Sequence, residues 1–174
     1  MRSVSALLFS AVLVSSAGAM PWQAKVVHVE DGDTVTVLKG HEQLRIRLAS
    51  IDAPEMSHGA GRPGQPMAAV AQKKLSQWVL GKTADFECVD EDRYGRLVCS
   101  IGMNGLDLNR RLVAEGLAWA NMANRRYLRD KALPAVEQVA RDARLGIWKM
   151  PSPVEPWNWR KQCWEHGICS GKQM

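Results

Sequence analysis

Acidic and basic side chains that could act on a charged ligand are concentrated in three segments of this sequence. These segments are VEDGDTVTV (residues 29–37), RIRLASIDAPE (residues 45–55) and DEDRYGR (residues 90–96). Hard divalent cations such as calcium bind several oxygen ligands, often carboxylates from separate segments. A planar guanidinium group matches two oxygens of a phosphate, which an ammonium group cannot contact in the same bidentate way. The three segments therefore contain the residue types of a site for a metal ion and a phosphate.

The acids of the first segment also have a simpler explanation. Asp31 precedes Gly32, a typical hairpin-turn pair, and both Asp31 and Asp33 could solvate the ends of that turn. An EF-hand loop is excluded, because the positions after Asp33 lack the required ligand and glycine. A metal site at Asp33 therefore needs ligands from elsewhere. Asp52 is the candidate, since it ends an apolar strand and the proline two positions later directs the chain out of the sheet.

The arginines are ambiguous in the same way. Arg45 and Arg47 lie on one face of a predicted strand whose other face is apolar. If the apolar face packs in the core, both arginines lie on the surface, unless the twist of the sheet turns one of them into a cleft. Arg96 follows Gly95, a residue that permits a tight turn and the close approach of a ligand. Taken singly, each arginine is expected to be a solvated surface residue.

The elements that would position these side chains are strands in the first half of the chain and helices after it. Strand patterns cover KVVHV, DTVTVLK, HEQLRIRLASI, ADFECV and GRLVCSIGM. Helical patterns cover a segment from Pro66 to Gly81, the segment DLNRRLVAEG, and a longer stretch that ends at RLGIW. Five strands with interspersed and trailing helices predict an α+β protein that is mainly β: an OB-fold barrel of five strands with three helices.

The ends of the chain differ in composition from this barrel. Residues 1–19 have a positive residue, a short apolar run and a small-residue end, which predicts a signal peptide cleaved near Ala19 and export to the periplasm or the medium. A buried helix or a membrane anchor is the alternative. Residues 20–150 are the predicted domain, and residues 151–174 form an extension rich in tryptophan, proline and cysteine. The net charge of +5 is compatible with nucleic acid, anionic lipid or acidic polysaccharide and does not choose among them.

The four cysteines are explained by export to an oxidising compartment. Two disulfides are favoured there, and the local pairing of Cys88 with Cys99 and of Cys163 with Cys169 is the simplest of three connectivities. The alternative is a zinc site assisted by histidines, but the spacing contains no CxxC element.

Three ordered motifs resemble the staphylococcal nuclease (thermonuclease) family. They are DGDTV, RLASIDAPE and DRYGR, followed by GLAWA and RLGIW in the helical part, so that the resemblance spans about residues 25–148. It implies an OB-fold barrel with three helices that acts as a monomer without a membrane partner. It also implies calcium-dependent hydrolysis of phosphodiester bonds in DNA and RNA, with little sequence specificity and with internal cuts that leave 3′-phosphate ends.

The resemblance also implies roles for individual residues. The calcium ligands are the carboxylates of Asp33 and Asp52 and the backbone carbonyl of Ala53. Glu55 matches the general base that acts on the attacking water, and Arg47 and Arg96 match the arginines that stabilise charge on the phosphate. Asp31 would lie near the metal, and Tyr94 would lie near the nucleotide.

The chain departs from the family in three places. The loop after Glu55 is richer in glycine and proline than a basic clamp would be, and only Arg62 and His58 could contact phosphate there. Asn121, Met122 and Asn124 occupy the run where the family carries tyrosines of the nucleotide pocket, which leaves the base preference open. The extension that contains Trp157 and Trp159 has no counterpart in the smallest family members. We expect these tryptophans to cover the core beneath the Cys163–Cys169 bridge rather than to stack on bases.

Two other functions are compatible with such a chain. A non-catalytic nucleic-acid-binding module of the same fold would be expected to lack some of the acids or arginines, and here all five candidate catalytic and metal-binding side chains are present. A structural envelope protein in which calcium only stabilises the fold would not need the pair of arginines.

Overall fold

The computed structural model describes residues 21–123 and 126–169. The predicted signal peptide, residues 1–19, lies outside the described residues, and so does Asn124.

A five-stranded barrel forms the centre of the molecule. The described residues contain eight strands, of which five form the barrel and β7 extends it beside β6: β1 (Trp22–Val29), β2 (Thr34–Lys39), β3 (Glu42–Leu48), β4 (Ile51–Asp52), β5 (Thr83–Glu91), β6 (Leu97–Met103), β7 (Leu106–Asp107) and β8 (Trp119–Ala120). Strands β3, β2, β1, β5 and β6 are neighbours in that order, and the parallel pairing of β3 with β6 closes the barrel. The short strands β4 and β8 pair with each other beside it. The predicted OB-type α+β fold is confirmed.

The alternation of apolar and polar residues determines which side of each strand faces the core. In β3, Ile46 and Leu48 are buried, whereas Arg45, on the opposite face of the strand, is exposed. The strand predicted as one segment from His41 to Ile51 is interrupted at Ser50, whose φ of 65° lies in the left-handed region. This interruption separates β3 from β4 and redirects the chain just before Asp52.

Four α-helices pack around the barrel or follow it. They are α1 (Ala68–Val79), α2 (Leu108–Ala114), α3 (Leu133–Asp142) and α4 (Pro156–Trp159), with a 3-10 turn at Gly146–Lys149 and a π-helical turn at Arg160–Glu165. The first three are the predicted helices, and the fourth lies in the predicted extension. The predicted start of α1 at Pro66 is wrong by two residues, because Met67 has a φ of 71° and is therefore not helical.

Both predicted disulfides are present. Cys88 and Cys99 lie opposite each other in the β5–β6 pair and are bonded, and the second bridge joins Cys163 to Cys169. All four cysteines are therefore used, and the zinc alternative is wrong. No helix within residues 21–123 and 126–169 has the length and hydropathy that crossing a bilayer requires.

Candidate active site

The turn between β1 and β2 places Asp33 against the segment that carries Asp52. A side-chain oxygen of Asp31 accepts a hydrogen bond from the backbone N–H of Asp33 at 2.9 Å, which fixes the turn. A Cβ atom at Gly32 would lie 2.7 Å from Cβ of Ala53 and 2.8 Å from Cβ of Ala71, closer than carbon atoms can approach. The glycine is thus required for close packing of the turn on two neighbouring segments. The Asp-Gly pair makes the predicted turn and also brings Asp33 close to the backbone that follows Asp52.

The two predicted metal-binding carboxylates meet at the end of β3. Asp33 and Asp52 are 5% and 1% exposed. The backbone N–H of Ala53 donates to Oδ2 of Asp33 at 2.5 Å. Arg47 pairs with Asp33 through one guanidinium nitrogen and donates from the other to Oδ1 of Asp52 at 2.6 Å. One guanidinium group therefore links both carboxylates, and Arg47 lies in a cleft while Arg45 on the same strand face remains exposed.

Burial and like charges set the electrostatics of this cluster. Burial is the largest cause that raises the pKa of Asp33, and together with the charges of Asp31 and Asp52, against the opposing effect of Arg47, it brings this pKa to about 7. Burial alone would lower the pKa of Arg47, but the three nearby aspartates outweigh it and raise that pKa, so the guanidinium stays charged. The site thus holds more negative charge than its arginine compensates, which favours the binding of a cation.

The donor chemistry of this cluster fits a hard divalent cation. Asp33 and Asp52 come from separate segments and both contact the guanidinium of Arg47, so their carboxylates lie on either side of one charged group. Within the described part of the chain, no group of three or more His, Cys, Asp or Glu side chains is arranged to hold a metal ion. The ligand set that the family resemblance implies, which is the two carboxylates and the carbonyl of Ala53, would leave the remaining positions around a cation to water or substrate.

Glu55 is held beside these carboxylates by Gln65. The backbone N–H of Glu55 donates to the side-chain oxygen of Gln65 at 2.9 Å, and the backbone N–H of Gln65 donates to the carbonyl of Glu55 at 2.8 Å. Burial raises the pKa of Glu55, and the charges of Asp33 and Asp52 add to this effect while Arg160 opposes it. A carboxylate with a raised pKa is a better proton acceptor, in keeping with the predicted base. Sequence reasoning missed Gln65, because nothing in its neighbourhood indicates a partner ten positions away.

Sequence reasoning also missed Arg160, which enters the cluster from the predicted extension. Its guanidinium donates to Oδ2 of Asp52 at 2.9 Å and to Oδ1 of Asp52 at 3.3 Å, and it forms a close ion pair with Glu55. The only sequence signal is a positive residue in a tryptophan-rich segment. Since 108 positions separate Arg160 from Asp52, no motif or periodicity could connect them.

Arg96 and Tyr94 lie in the turn before β6 and make contacts of their own. Arg96 pairs with Asp92, with a nitrogen–oxygen distance of 2.7 Å, and the parallel register that sets Leu97 opposite Ile46 places it beside the first half of β3. Burial would raise the pKa of Asp92, but the hydrogen bonds from Arg96 and the turn backbone lower it. The ring of Tyr94 is exposed, and its hydroxyl accepts a hydrogen bond from Arg93 at 2.6 Å. The structure thus brings together Asp33, Asp52, Glu55 and Arg47, while Arg96 is held by Asp92.

The fold and the site define a small OB-type barrel protein that gathers carboxylates and guanidinium groups at one end of β3. The chain belongs to the staphylococcal nuclease family: the model of the family described as staphylococcal nuclease homologue matches residues 45–150, which is more than half of the chain. This confirms the resemblance that the three sequence motifs indicate.

Individual relatives agree with this assignment. The chain is 36% identical to an uncharacterised endonuclease of Escherichia coli over 137 residues, which cover 78% of this chain and 83% of that protein. It is 33% identical to the micrococcal nuclease of Shigella flexneri over 173 residues, which cover 92% of each. It is also 36% identical to the staphylococcal-like nuclease CAN1 of Arabidopsis thaliana over 120 residues, 69% of this chain and 34% of that protein. These relatives support a nuclease function for the chain.

Proposed function

We propose that the protein is an exported, monomeric, calcium-dependent nuclease that hydrolyses phosphodiester bonds in DNA and RNA with little sequence specificity. It cuts internally, by breaking the bond from phosphorus to the 5′ oxygen and leaving a 3′-phosphate. The observation that carries this proposal is the convergence of Asp33, Asp52, Glu55 and Arg47 in one buried cluster of a chain that belongs to a nuclease family.

Asp33, Asp52 and the carbonyl of Ala53 would hold the calcium ion. When bound, calcium supplies positive charge that offsets the charge of the phosphate. Both carboxylates are buried and are otherwise compensated by guanidinium groups alone, which favours the binding of a cation between them.

Glu55 takes the proton of the attacking water. As the water oxygen bonds to phosphorus, a carboxylate oxygen of Glu55 accepts the proton. The 5′ oxygen departs with the electron pair of the broken bond and takes up a proton from solvent water to become the 5′-hydroxyl. Gln65 fixes the backbone of Glu55 on both sides of the residue, which holds its carboxylate near the metal ligands. A positioned base of this kind contributes about 10²–10⁴-fold in rate.

Arg47 and Arg96 stabilise the charge that develops on the phosphate oxygens. Arg47 already lies at the carboxylates with both terminal nitrogens directed into the cluster. Arg96 reaches the phosphate by exchanging the carboxylate of Asp92, to which it is bound at the surface, for phosphate oxygens. Removal of one such donor typically costs ~2.7–4 kcal/mol of transition-state stabilisation, about 10²–10³ in rate.

Export agrees with the two disulfides, which form and persist in oxidising compartments. The proposed signal peptide accounts for the route. A nuclease with these bridges would act in the periplasm or the medium.

A cleavage assay with product-end analysis tests the proposal. Purified mature protein should degrade single-stranded DNA and RNA in calcium, and excess chelator should stop the reaction. The products should carry 3′-phosphates and should first appear as internal fragments. The Glu55→Gln variant should lose at least about a hundredfold in rate while it keeps its fold. Undiminished cleavage in chelator would exclude the metal assignment, and DNA binding without cleavage under every condition would favour the non-catalytic module.

A further inference from the structure

The segment that follows the nuclease domain forms one wall of the candidate active site. We call residues 151–169 the C-terminal segment. It is attached to the loop before α1 at several points: the indole N–H groups of Trp159 and Trp164 both donate to the carbonyl of Pro63, at 3.1 and 3.0 Å. The side chain of Gln65 donates to the carbonyl of Val154 at 2.8 Å. These contacts hold the C-terminal segment next to the residues that position Glu55.

This attachment fixes the place of Arg160. Trp159, directly before it, is 7% exposed, and Cys163 in the following helical turn is 1% exposed and bridged to Cys169. Because both flanking residues are anchored, the side chain of Arg160 starts from a fixed backbone position. It reaches Asp52 and Glu55 from there, so the anchored backbone of the segment determines this contact.

The charges of this cluster admit an anion only when a cation and Arg160 are both present. Asp33, Asp52 and Glu55 contact Arg47 and Arg160, and the charge of Asp31 also acts on Asp33 and Arg47, so that four carboxylates face two guanidinium groups and two negative charges remain. A divalent cation makes the cluster neutral, so that it no longer repels the negative charge of a phosphodiester. Without Arg160, the same cluster would keep one negative charge with the cation bound and would repel the phosphate.

Arg160 is also accessible to a ligand. Its side chain is 37% exposed, whereas the side chain of Arg47 is 15% exposed. Compensation of buried carboxylates alone would not require a solvent-exposed side chain. Guanidinium groups bind carboxylates and phosphates through the same bidentate geometry, so Arg160 can exchange a carboxylate oxygen for a phosphate oxygen without leaving its place.

The surface around Arg160 continues with further basic side chains. The guanidinium carbon of Arg62 lies 5.8 Å from the centroid of the Trp164 ring. The centroid of the His58 ring lies 5.3 Å from that of a Trp164 ring, and the two rings are in a T-shaped arrangement. Lys161 follows Arg160 and is exposed. Arg62 and Lys161 thus add positive charge on the loop and on the C-terminal segment, where Glu165 is an exposed acid of opposite charge.

We propose that Arg160 is a further substrate-binding residue of this nuclease, which contacts a phosphate of the bound nucleic acid beside Glu55. The proposal rests on the proposed nuclease function, and it assigns the C-terminal segment to the substrate site rather than to cover of the core alone.

Binding of a fluorescent single-stranded oligodeoxynucleotide in calcium tests the assignment without relying on catalysis. All measurements use the Glu55→Gln background, which suppresses cleavage and keeps a side-chain acceptor for Arg160. In this background Arg160→Gln should weaken binding by about tenfold and should reduce the slope of log K against log[salt] by about 0.7, the value for one phosphate contact on a single strand. Arg160→Lys should keep the slope, because the charge remains, and should recover part of the affinity.

Lys161→Gln is the matched control, since it removes the same charge from the next, exposed position. It should weaken binding clearly less than Arg160→Gln. Tryptophan fluorescence and thermal unfolding of each variant check that the C-terminal segment stays in place. If Arg160→Gln unseats the segment, the affinity of Arg160→Lys decides. When the fluorescence signal shows that the segment is in place, a phosphate contact predicts binding weaker than in the parent, because lysine cannot contact a phosphate bidentately, whereas a purely structural ion pair predicts the affinity of the parent.

Three outcomes separate the hypotheses. If Arg160→Gln binds DNA as well as its parent or better, or if Lys161→Gln weakens binding to the same extent, the assignment of Arg160 is overturned. If wild-type protein cleaves DNA in calcium and the variants bind alike, only this inference fails. If wild-type protein neither binds nor cleaves nucleic acid, the proposed function itself fails.

Discussion

Gln65 holds Glu55 through two hydrogen bonds of opposite direction. The backbone N–H of Glu55 donates to the side-chain oxygen of Gln65 at 2.9 Å, and the backbone N–H of Gln65 donates to the carbonyl of Glu55 at 2.8 Å. The amide nitrogen of the same side chain donates to the carbonyl of Val154. One buried amide thus connects the proposed base to the C-terminal segment that carries Arg160.

Replacement of Gln65 should therefore impair catalysis although the residue does not touch the substrate. In Gln65→Ala we expect kcat to fall about 10- to 100-fold, because a displacement of about 1 Å can cost 10²-fold. The free energy of unfolding should fall by about 1–3 kcal/mol, since the N–H of Glu55 and the carbonyl of Val154 lose their partners. Steady-state kinetics and denaturant unfolding measure the two effects.

Gln138→Ala is the control for this variant, because Gln138 is an exposed glutamine whose hydrogen bond to Asp142 stays within α3. It should change neither quantity measurably. Equal kcat values for Gln65→Ala and the wild type would show that Glu55 needs no support from Gln65.

Gly32 is the point where the turn after β1 touches the rest of the site. In Gly32→Ala the new Cβ atom would overlap the Cβ atoms of Ala53 and Ala71, so the turn must move away from both. We expect a loss of about 1–3 kcal/mol in the free energy of unfolding, typical of overpacking. We also expect a weaker calcium affinity, because Asp33 moves with the turn. Denaturant unfolding and calorimetric titration with calcium provide the two readouts.

Gly102→Ala separates this overlap from the general effect of adding a methyl group to a glycine. The nearest side-chain atom to a Cβ at Gly102 is Cβ of Asp85 at 3.6 Å, an ordinary contact distance. This control should keep the calcium affinity of the wild type. If both variants bind calcium equally well, the close approach at Gly32 does not position Asp33.

Arg47 and Arg96 should differ in their effect on stability although they share a proposed role. Arg47 compensates two buried carboxylates, so Arg47→Met should lower the free energy of unfolding of the metal-free protein by about 3–5 kcal/mol. Arg96 forms one pair near the surface, and Arg96→Met should cost at most about 1 kcal/mol. Both variants should lose about 10²–10³ in rate.

Unfolding curves in chelator and in calcium test this contrast. Calcium should restore much of the stability of Arg47→Met, because the cation then compensates both carboxylates. If the two variants are equally stable in chelator, the buried pair contributes less than its geometry indicates.

The sequence predicts those parts of the site that lie within short segments. Asp52 and Glu55 follow Arg47 within nine positions, and the Asp-Gly turn carries Asp33, so motif spacing contains most of the cluster. The barrel is predictable for a similar reason: apolar residues alternate along strands such as β3, and the period of two determines the buried face.

The remaining features arise from contacts between distant segments or from backbone conformations without a residue signature. Arg160 and Gln65 act through partners that the fold brings together. The left-handed conformations of Ser50 and Met67 shorten β3 and delay α1, and neither residue type signals such a conformation as glycine would. Burial of Trp159 agrees with the expectation from composition, but the carbonyl of Pro63 as its partner could come only from the structure.

The raised pKa of Asp33 predicts that the metal-free protein loses stability as the pH rises. This pKa lies at about 7, well above the usual range of an aspartate, and burial is the largest cause of the increase. A group whose pKa is raised on folding contributes its full stabilisation when the pH is below its pKa in the unfolded chain. This contribution is lost as the pH rises from that value to the pKa in the folded protein. The free energy of unfolding of wild type minus that of Asp33→Asn should therefore decrease between about pH 4 and pH 7, by roughly 1–4 kcal/mol.

Denaturant unfolding of both proteins in chelator measures this difference, and groups common to both cancel. Asparagine keeps an acceptor for the N–H of Ala53, so the comparison isolates the charge. Calcium should reverse this dependence on pH, because it binds the ionised carboxylate. The affinity of the wild type for calcium should rise with pH up to about 7, and below that pH calcium binding should release a proton. A difference that stays constant or increases from pH 4 to pH 7 would mean that Arg47 stabilises ionised Asp33 more strongly than burial and like charges oppose it.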